Sequence, residues 1–390
     1  MVATRGCRGT VAPIASDAVH FVHRILRELS ITFIAALAIV PATHALTLDE
    51  DRAEALFHYY DGGGVEVSGP AILVRKGVGA QTAVTAGYYA DSISSASIDV
   101  VTTASPYSEQ RDEYQFGVEH LSGDSRMSLS YTDSEESDYI AKTIAMDLTH
   151  EVFGGLSTFS MGYAREQDVV GRVDTSETDT KDSNLFRLGA SQILSSRMVA
   201  SATYEIITDD GLLNNPYRAA RVLGAFLPER YPRTRTSNTV AVHARYALGQ
   251  GGRPDPAALR ASYRYFFDTW GIGANTVELG AAGYLGARWR LDGWYRYYSQ
   301  NAAVFYSDNF ADEEIFMARD KELSTFQSHT LGMSGTYALA RAHATSRIRA
   351  DASASLYHVV FDYHDFTDVR DGQPYNFSAN VAQLYLSIWY

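Results

Sequence analysis

The sequence predicts an all-β chain, a transmembrane antiparallel up-and-down β-barrel of about fourteen strands, give or take two. Three observations carry this reading. From residue 81 onward apolar residues recur with period two, and the connections alternate between long and short. The last strand is apolar on one face and ends on an aromatic residue.

The chain begins with a segment that is not part of the fold. Its longest apolar run, Ile31 to Val40, follows Arg24 and Arg27 and precedes the small-residue site Thr43-His44-Ala45. That arrangement reads as a secretory signal peptide cleaved after Ala45. Removing residues 1–45 takes away Arg5, Arg8, Arg24 and Arg27 with Asp17 and Glu28, leaving 29 basic against 44 acidic residues and a net charge of about −15. The single cysteine, Cys7, leaves with it, so export needs no disulfide. A surface this acidic excludes nucleic acid as a partner. With 46% apolar residues but no apolar stretch of 18 in the mature part, the apolar content is dispersed, as in alternating strands.

Residues 46–80 read as a periplasmic N-terminal segment and candidate plug, with Gly62-Gly63-Gly64 as a hinge, and residues 81–390 as the barrel. The expected strands are 81–94, 112–123, 125–139, 141–152, 157–170, 183–195, 197–211, 235–249, 257–271, 274–287, 288–302, 326–339, 346–361 and 375–390. Most exceed the 9–11 residues that cross a bilayer when tilted. In 257–271, Leu259, Ala261, Tyr263, Tyr265 and Phe267 share one face, and Arg260, Ser262, Arg264 and Asp268 share the other. Alternation alone fits a soluble sandwich equally well. Loop lengths do not: long connections near 95–111, 133–140, 166–183, 208–234, 299–325 and 362–374 alternate with short ones such as Gly123-Asp124, Ser195-Ser196 and Gly286-Ala287. The barrel therefore belongs in a Gram-negative outer membrane, in contact with its lipid. Leu384, Leu386, Ile388 and Tyr390 line one face of the terminal strand, resembling the signal read by the barrel-assembly machinery.

Several segments are similar to one family. They are Gly69 to Lys76, Tyr88 to Val100, Ala104 to Glu109, Ser134 to Tyr139, Asn214 to Arg218 and Tyr263 to Trp270. Together they resemble the domain-of-unknown-function 3570 family of bacterial envelope proteins across nearly the whole mature chain. The resemblance implies an outer-membrane barrel. It also implies a link to envelope redox work, because members are often encoded near flavin-transferase and thioredoxin-like proteins.

Alternation assigns the lumen. Its basic positions are Arg187, Arg245, Arg260, Arg264, Arg290, Arg296 and Arg349, and its acidic ones Glu119, Asp147, Glu205, Asp268, Glu278, Asp292 and Asp351. Seven of each sign predict cross-strand ion pairs and a wall near neutrality, without strong ion selectivity. The hydroxyl-rich stretch 88–111 suits a loop that folds inward as a constriction, or a solute contact through Asp91, Asp99, Glu109 and Arg111. Two acidic loops, Asp133 to Asp138 and Asp174 to Asp182, carry oxygen donors suited to Ca²⁺ but lack EF-hand spacing, so solvated loops are the default. No metal or cofactor is expected. His243 falls beside Arg245 on the lumen face, as wall rather than ligand.

Enzyme motifs are missing from the sequence. There is no G-x-S-x-G, H-E-x-x-H, Walker loop or C-x-x-C, and Gly123-Asp124-Ser125 sits on a strand-to-strand turn. The expected function is a porin-like channel or solute-binding barrel with a charge-balanced lumen. A scaffold anchoring a periplasmic redox partner through residues 46–80 is the alternative. An outer-membrane hydrolase is a third.

Overall fold

The computed structural model describes residues 46–95, 107–172, 177–249, 257–341 and 348–390. The signal-peptide reading of 1–45 and the candidate contact Asp99 lie outside these residues, as does most of the loop between 95 and 111.

The strands are β1 (Arg52–Gly62), β2 (Val65–Val78), β3 (Thr82–Ser95), β4 (Tyr107–Ser122), β5 (Ser125–Glu135) and β6 (Tyr139–Val152). They continue as β7 (Ser157–Gly171), β8 (Thr178–Ser195), β9 (Met198–Gly211), β10 (Ala219–Val222), β11 (Ala225–Pro228) and β12 (Thr234–Leu248). The remainder are β13 (Ala257–Asp268), β14 (Gly273–Leu285), β15 (Trp289–Gln300), β16 (Phe326–Ala340), β17 (Arg349–Thr367) and β18 (Pro374–Trp389). Among the described residues, sixteen of these close one antiparallel barrel in which neighbours in sequence are neighbours in space. β12 pairs directly with β9, and β10 and β11 form a separate hairpin within the β9–β12 connection. β1 closes the ring on β18.

All fourteen expected strands are present, within a few residues of their expected bounds. The count rises to sixteen because the segment read as a periplasmic extension supplies β1 and β2 of the wall. The residues read as a hinge are their hairpin turn. Gly63 and Gly64 have φ of +61° and +77°, the left-handed pair that a two-residue turn between twisted strands requires. β1 and β2 escape simple alternation because their inner face is apolar near the turn, where Tyr60, Val65 and Val67 are buried inside the ring.

The outer face is apolar strand after strand. Phe116, Leu129, Met146, Leu188, Leu279 and Leu331 are each more than half exposed. The terminal strand follows the same rule, with Leu384, Leu386 and Tyr390 exposed on that face.

The inside divides along the barrel axis. Near the long connections, the sector of β1, β2 and β15 to β18 packs a core that includes Tyr60, Val67, Trp294, Phe361, Tyr363 and Val381. Its rings meet closely, Phe361 stacked on Phe377 at 4.6 Å and Trp294 edge-on to Tyr357 at 4.9 Å. The two longest connections, 212–233 and 301–325, fold over the same end. They pair with each other through Arg230 and Met317, whose backbone N–H groups donate reciprocally at 3.0 and 2.9 Å. Tyr231, Phe305 and Leu323 form their apolar underside, packed with Trp270 of the β13–β14 connection and the inward-facing Phe266 of β13. The place of the expected plug is therefore taken, among the described residues, by these loops and not by residues 46–80, which supply wall strands β1 and β2.

Candidate functional site

The lower lumen, toward the short turns, is the ion-pair ladder that alternation assigns. All fourteen lumen positions face inward, since each belongs to the parity of the register that carries buried Glu278 and Thr239. Arg187 and Glu205 are register partners and pair at 2.8 Å. Glu278 accepts from Arg296 at 2.8 Å and meets Arg260 at 3.5 Å, and Arg260 Nη2 reaches Asp292 at 2.8 Å. Asp351 lies within electrostatic reach of Arg349 and Arg290. Arg349 also meets Glu50, just before β1, at 3.0 Å. Arg245 and Arg264 occupy inward positions opposite Arg260 and Thr276 respectively. Sequence reading missed Arg75, which lies in the segment assigned to the periplasm. It is nearly buried and pairs with Glu119 at 3.4 Å, while Arg126 reaches the same carboxylate at 3.5 Å.

The upper lumen gathers three of the four solute contacts expected from the 88–111 stretch. Asp91, on β3, lies against His58 of β1, with Nε2 and Oδ1 2.6 Å apart. The Tyr89 hydroxyl is 3.1 Å from the same nitrogen, and its ring stacks on the imidazole at 5.1 Å. Arg111 of β4 lies over the other side of Tyr89, 5.1 Å from its centre, with Asp91 at 3.9 Å and Glu113 at 3.4 Å. Gly69 makes this possible: a Cβ there would sit 1.7 Å from the Ala90 carbonyl oxygen, so a larger residue would force β2 away from β3. His58 could not be found by spacing, because its partners lie on another hairpin.

Glu109 continues the cluster upward. It accepts from the Ser137 N–H at 3.1 Å and from the Ser137 hydroxyl. Glu136 and Asp138 flank that serine in the β5–β6 connection, and oxygens of Glu109, Glu136 and Asp138 lie within 4.8 Å of one another. Burial pushes the Glu136 carboxyl up to about 8, helped by Glu109, Asp138 and Asp91 against the pull of Arg111.

Loop 212–233 is tied to this rim. The Tyr217 hydroxyl donates to Asp138 at 2.5 Å, and Arg172 lies 5.0 Å over the Tyr217 ring. Arg218 pairs with Asp320, and with Glu322 at 3.8 Å, joining the two plug loops. Below them Arg235 pairs with Asp268 at 2.5 Å and lies 4.4 Å over the Trp270 ring. Asp268 also accepts from the N–H groups of Trp270 and Ile272 at 3.0 and 2.8 Å, so one carboxylate fixes both the cation and the turn.

Between plug and wall lies a cavity of about 220 Å³. Lys181, Arg218 and Arg235 bring positive charge to its lining, and Asp209, Asp320 and Glu322 bring negative. Tyr139, Phe266 and Trp270 supply aromatic faces. Lys181 is held at 2.8 Å by Asp168, which also accepts from Tyr139. At roughly 30 Å³ per molecule the space suits about seven waters or one small polar solute.

The model of the family described as "Protein of unknown function (DUF3570)" matches residues 171–357. This is the family that the sequence segments resemble, and over that stretch the resemblance is shown. Asn214 to Arg218 and Tyr263 to Trp270 fall inside the matched stretch, and the four earlier segments precede it. No curated protein matches the chain. Among solved structures it is similar to a bacterial polysaccharide outer membrane secretin, at 10% identity over 89% of this chain and 99% of that one, with a TM-score of 0.49. It is similar to a FadL homologue of Pseudomonas aeruginosa at 9% identity, 88% and 90% coverage and a TM-score of 0.41. Outer-membrane expressed OmpT of Vibrio cholerae is similar at 10% identity, 90% and 100% coverage and a TM-score of 0.43. Likenesses this distant say nothing about activity.

Proposed function

We propose that the chain is a gated solute barrel of a bacterial outer membrane, with its apolar face in lipid and loops 212–233 and 301–325 as the gate. A soluble sandwich would bury its apolar face and wet its charged one. Here large apolar side chains face outward around the wall and the charges face inward. Lipid satisfies the first arrangement and a wet lumen the second.

The observation that carries the gating reading is the cavity beneath the plug. It is lined by both signs of charge and by aromatic faces, and its roof is held by polar links such as Arg218 to Asp320 and Tyr217 to Asp138. A small polar or zwitterionic solute fits that lining. The scaffold alternative loses its support, because residues 52–78 are wall and not a free extension.

Planar-bilayer recording tests the reading. Unaltered protein should be mostly closed with brief discrete openings. Arg218→Ala, which removes one of the ties between the two loops, should raise open time at least tenfold. Silence from both proteins, each verified as folded and inserted, would overturn the channel.

A further inference from the structure

The rim cluster carries an inference independent of solute passage. We propose that Glu109, Glu136 and Asp138 form a divalent-cation site suited to calcium. Three carboxylates converge so that one oxygen from each lies within 4.8 Å of the others. Three protein carboxylates at one point suit Ca²⁺, which takes several oxygens at about 2.3–2.6 Å in flexible geometry, better than Mg²⁺, which usually keeps several waters and only one or two carboxylates.

Convergence of acids alone would mean little. The second observation is that Glu109 is 8% exposed and its Oε2 is buried with no hydrogen-bond partner. Its other oxygen is already occupied by Ser137, which orients the carboxylate and leaves Oε2 for another ligand. Glu136 is equally buried, and its carboxylate has no hydrogen-bond partner among the described residues. An ionised carboxylate buried without partners is costly, and a bound cation removes that cost. Arg111 is the nearest counter-charge and is shared with Asp91 and Glu113.

Placement gives the site a consequence. Glu109 belongs to wall strand β4, Glu136 and Asp138 to the β5–β6 connection, and Asp138 accepts from Tyr217 of the plug. An ion here would pin the connection to the wall and stiffen the anchor of loop 212–233.

The test uses the full chain in detergent micelles, stripped with chelator and titrated with Ca²⁺ by calorimetry. Tb³⁺ luminescence excited through tyrosine gives a second readout, since the Tyr217 hydroxyl touches a ligand residue. One saturable Ca²⁺ site is expected, with an affinity of about 10⁻⁴–10⁻³ M, the range of extracellular calcium modules. Glu136→Gln and Glu109→Gln should each weaken Ca²⁺ binding at least tenfold and abolish the Tb³⁺ signal. Asp182→Asn, an exposed carboxylate on strand β8, should leave both unchanged. No saturable binding up to about 10 mM, tenfold above that range, would overturn the site, as would unchanged affinity in Glu136→Gln. Equal affinity for Mg²⁺ would overturn the assignment to calcium. Should the variants fail to fold, competition of Ca²⁺ against Tb³⁺ on the unaltered protein decides: displacement supports the site and its absence refutes it.

Discussion

The two ends of the lumen solve one problem in different ways. Both must satisfy a ring of inward side chains, and the end near the short turns does it within one hairpin or across one intervening strand. Arg187 with Glu205 and Arg296 with Glu278 are register partners across a single hairpin, 18 residues apart in sequence. The end near the long connections does it at a distance: Tyr217 reaches Asp138 across 79 residues, and the Arg319 N–H reaches Glu229 across 90. Local pairs leave a wet wall, and distant ones build a lid with its own apolar underside. The difference teaches that one rule of alternation produces either a lining or a core, depending on whether loops return to cover it.

Trp270→Ala should break the comparison most strongly. The indole is 4% exposed and packs edge-on against Phe305 and Tyr231 at 5.1 and 5.5 Å. Its loss should cost about 3–5 kcal/mol in urea unfolding and leave the barrel conducting. Gly69→Ala comes next, since the added Cβ collides with the Ala90 carbonyl backbone. A cost of about 1–3 kcal/mol is expected, with the His58 imidazole resonance shifted in NMR spectra as its contact with Asp91 loosens.

The lower ladder should respond in charge more than in stability. Glu278→Gln leaves Arg260 and Arg296 with one fewer anion, so reversal potentials should move toward anion preference while unfolding changes by about 1–2 kcal/mol. Glu205→Gln should have the smallest effect, about 1 kcal/mol or less, because its partner Arg187 is about a third exposed to lumen water. If Glu205→Gln destabilised as much as Trp270→Ala, the contrast between the two ends would fail.

What could be read from the sequence follows the same division. Fourteen strands and most of the lower ladder were legible, because alternation and hairpin register are local; Arg75, in the segment read as periplasmic, was not. β1 and β2 were not, since Tyr60, Val65 and Val67 make the inner face apolar near their turn, where alternation expects polarity. The Gly63-Gly64 pair was the available signal, a two-residue hairpin turn read as a hinge. Asp91, Glu109 and Arg111 were found by composition, and His58 was not, because only barrel closure brings β1 near them. The plug was expected from the wrong segment. Loop length marks 212–233 and 301–325 as long, but nothing in spacing says that Arg230 pairs with Met317.

The seam between β1 and β18 bears on how the chain assembles. Arg52 pairs with Trp389 and Gly62 with Ala379, so the ring shuts only when segments more than 300 residues apart find each other. Every other wall contact forms between consecutive strands or across one loop. An open, curled sheet should therefore accumulate first, with two unpaired edges that invite association, and closure should be the slow step. Weakening the seam would then lengthen the life of that sheet without changing how quickly its hairpins form.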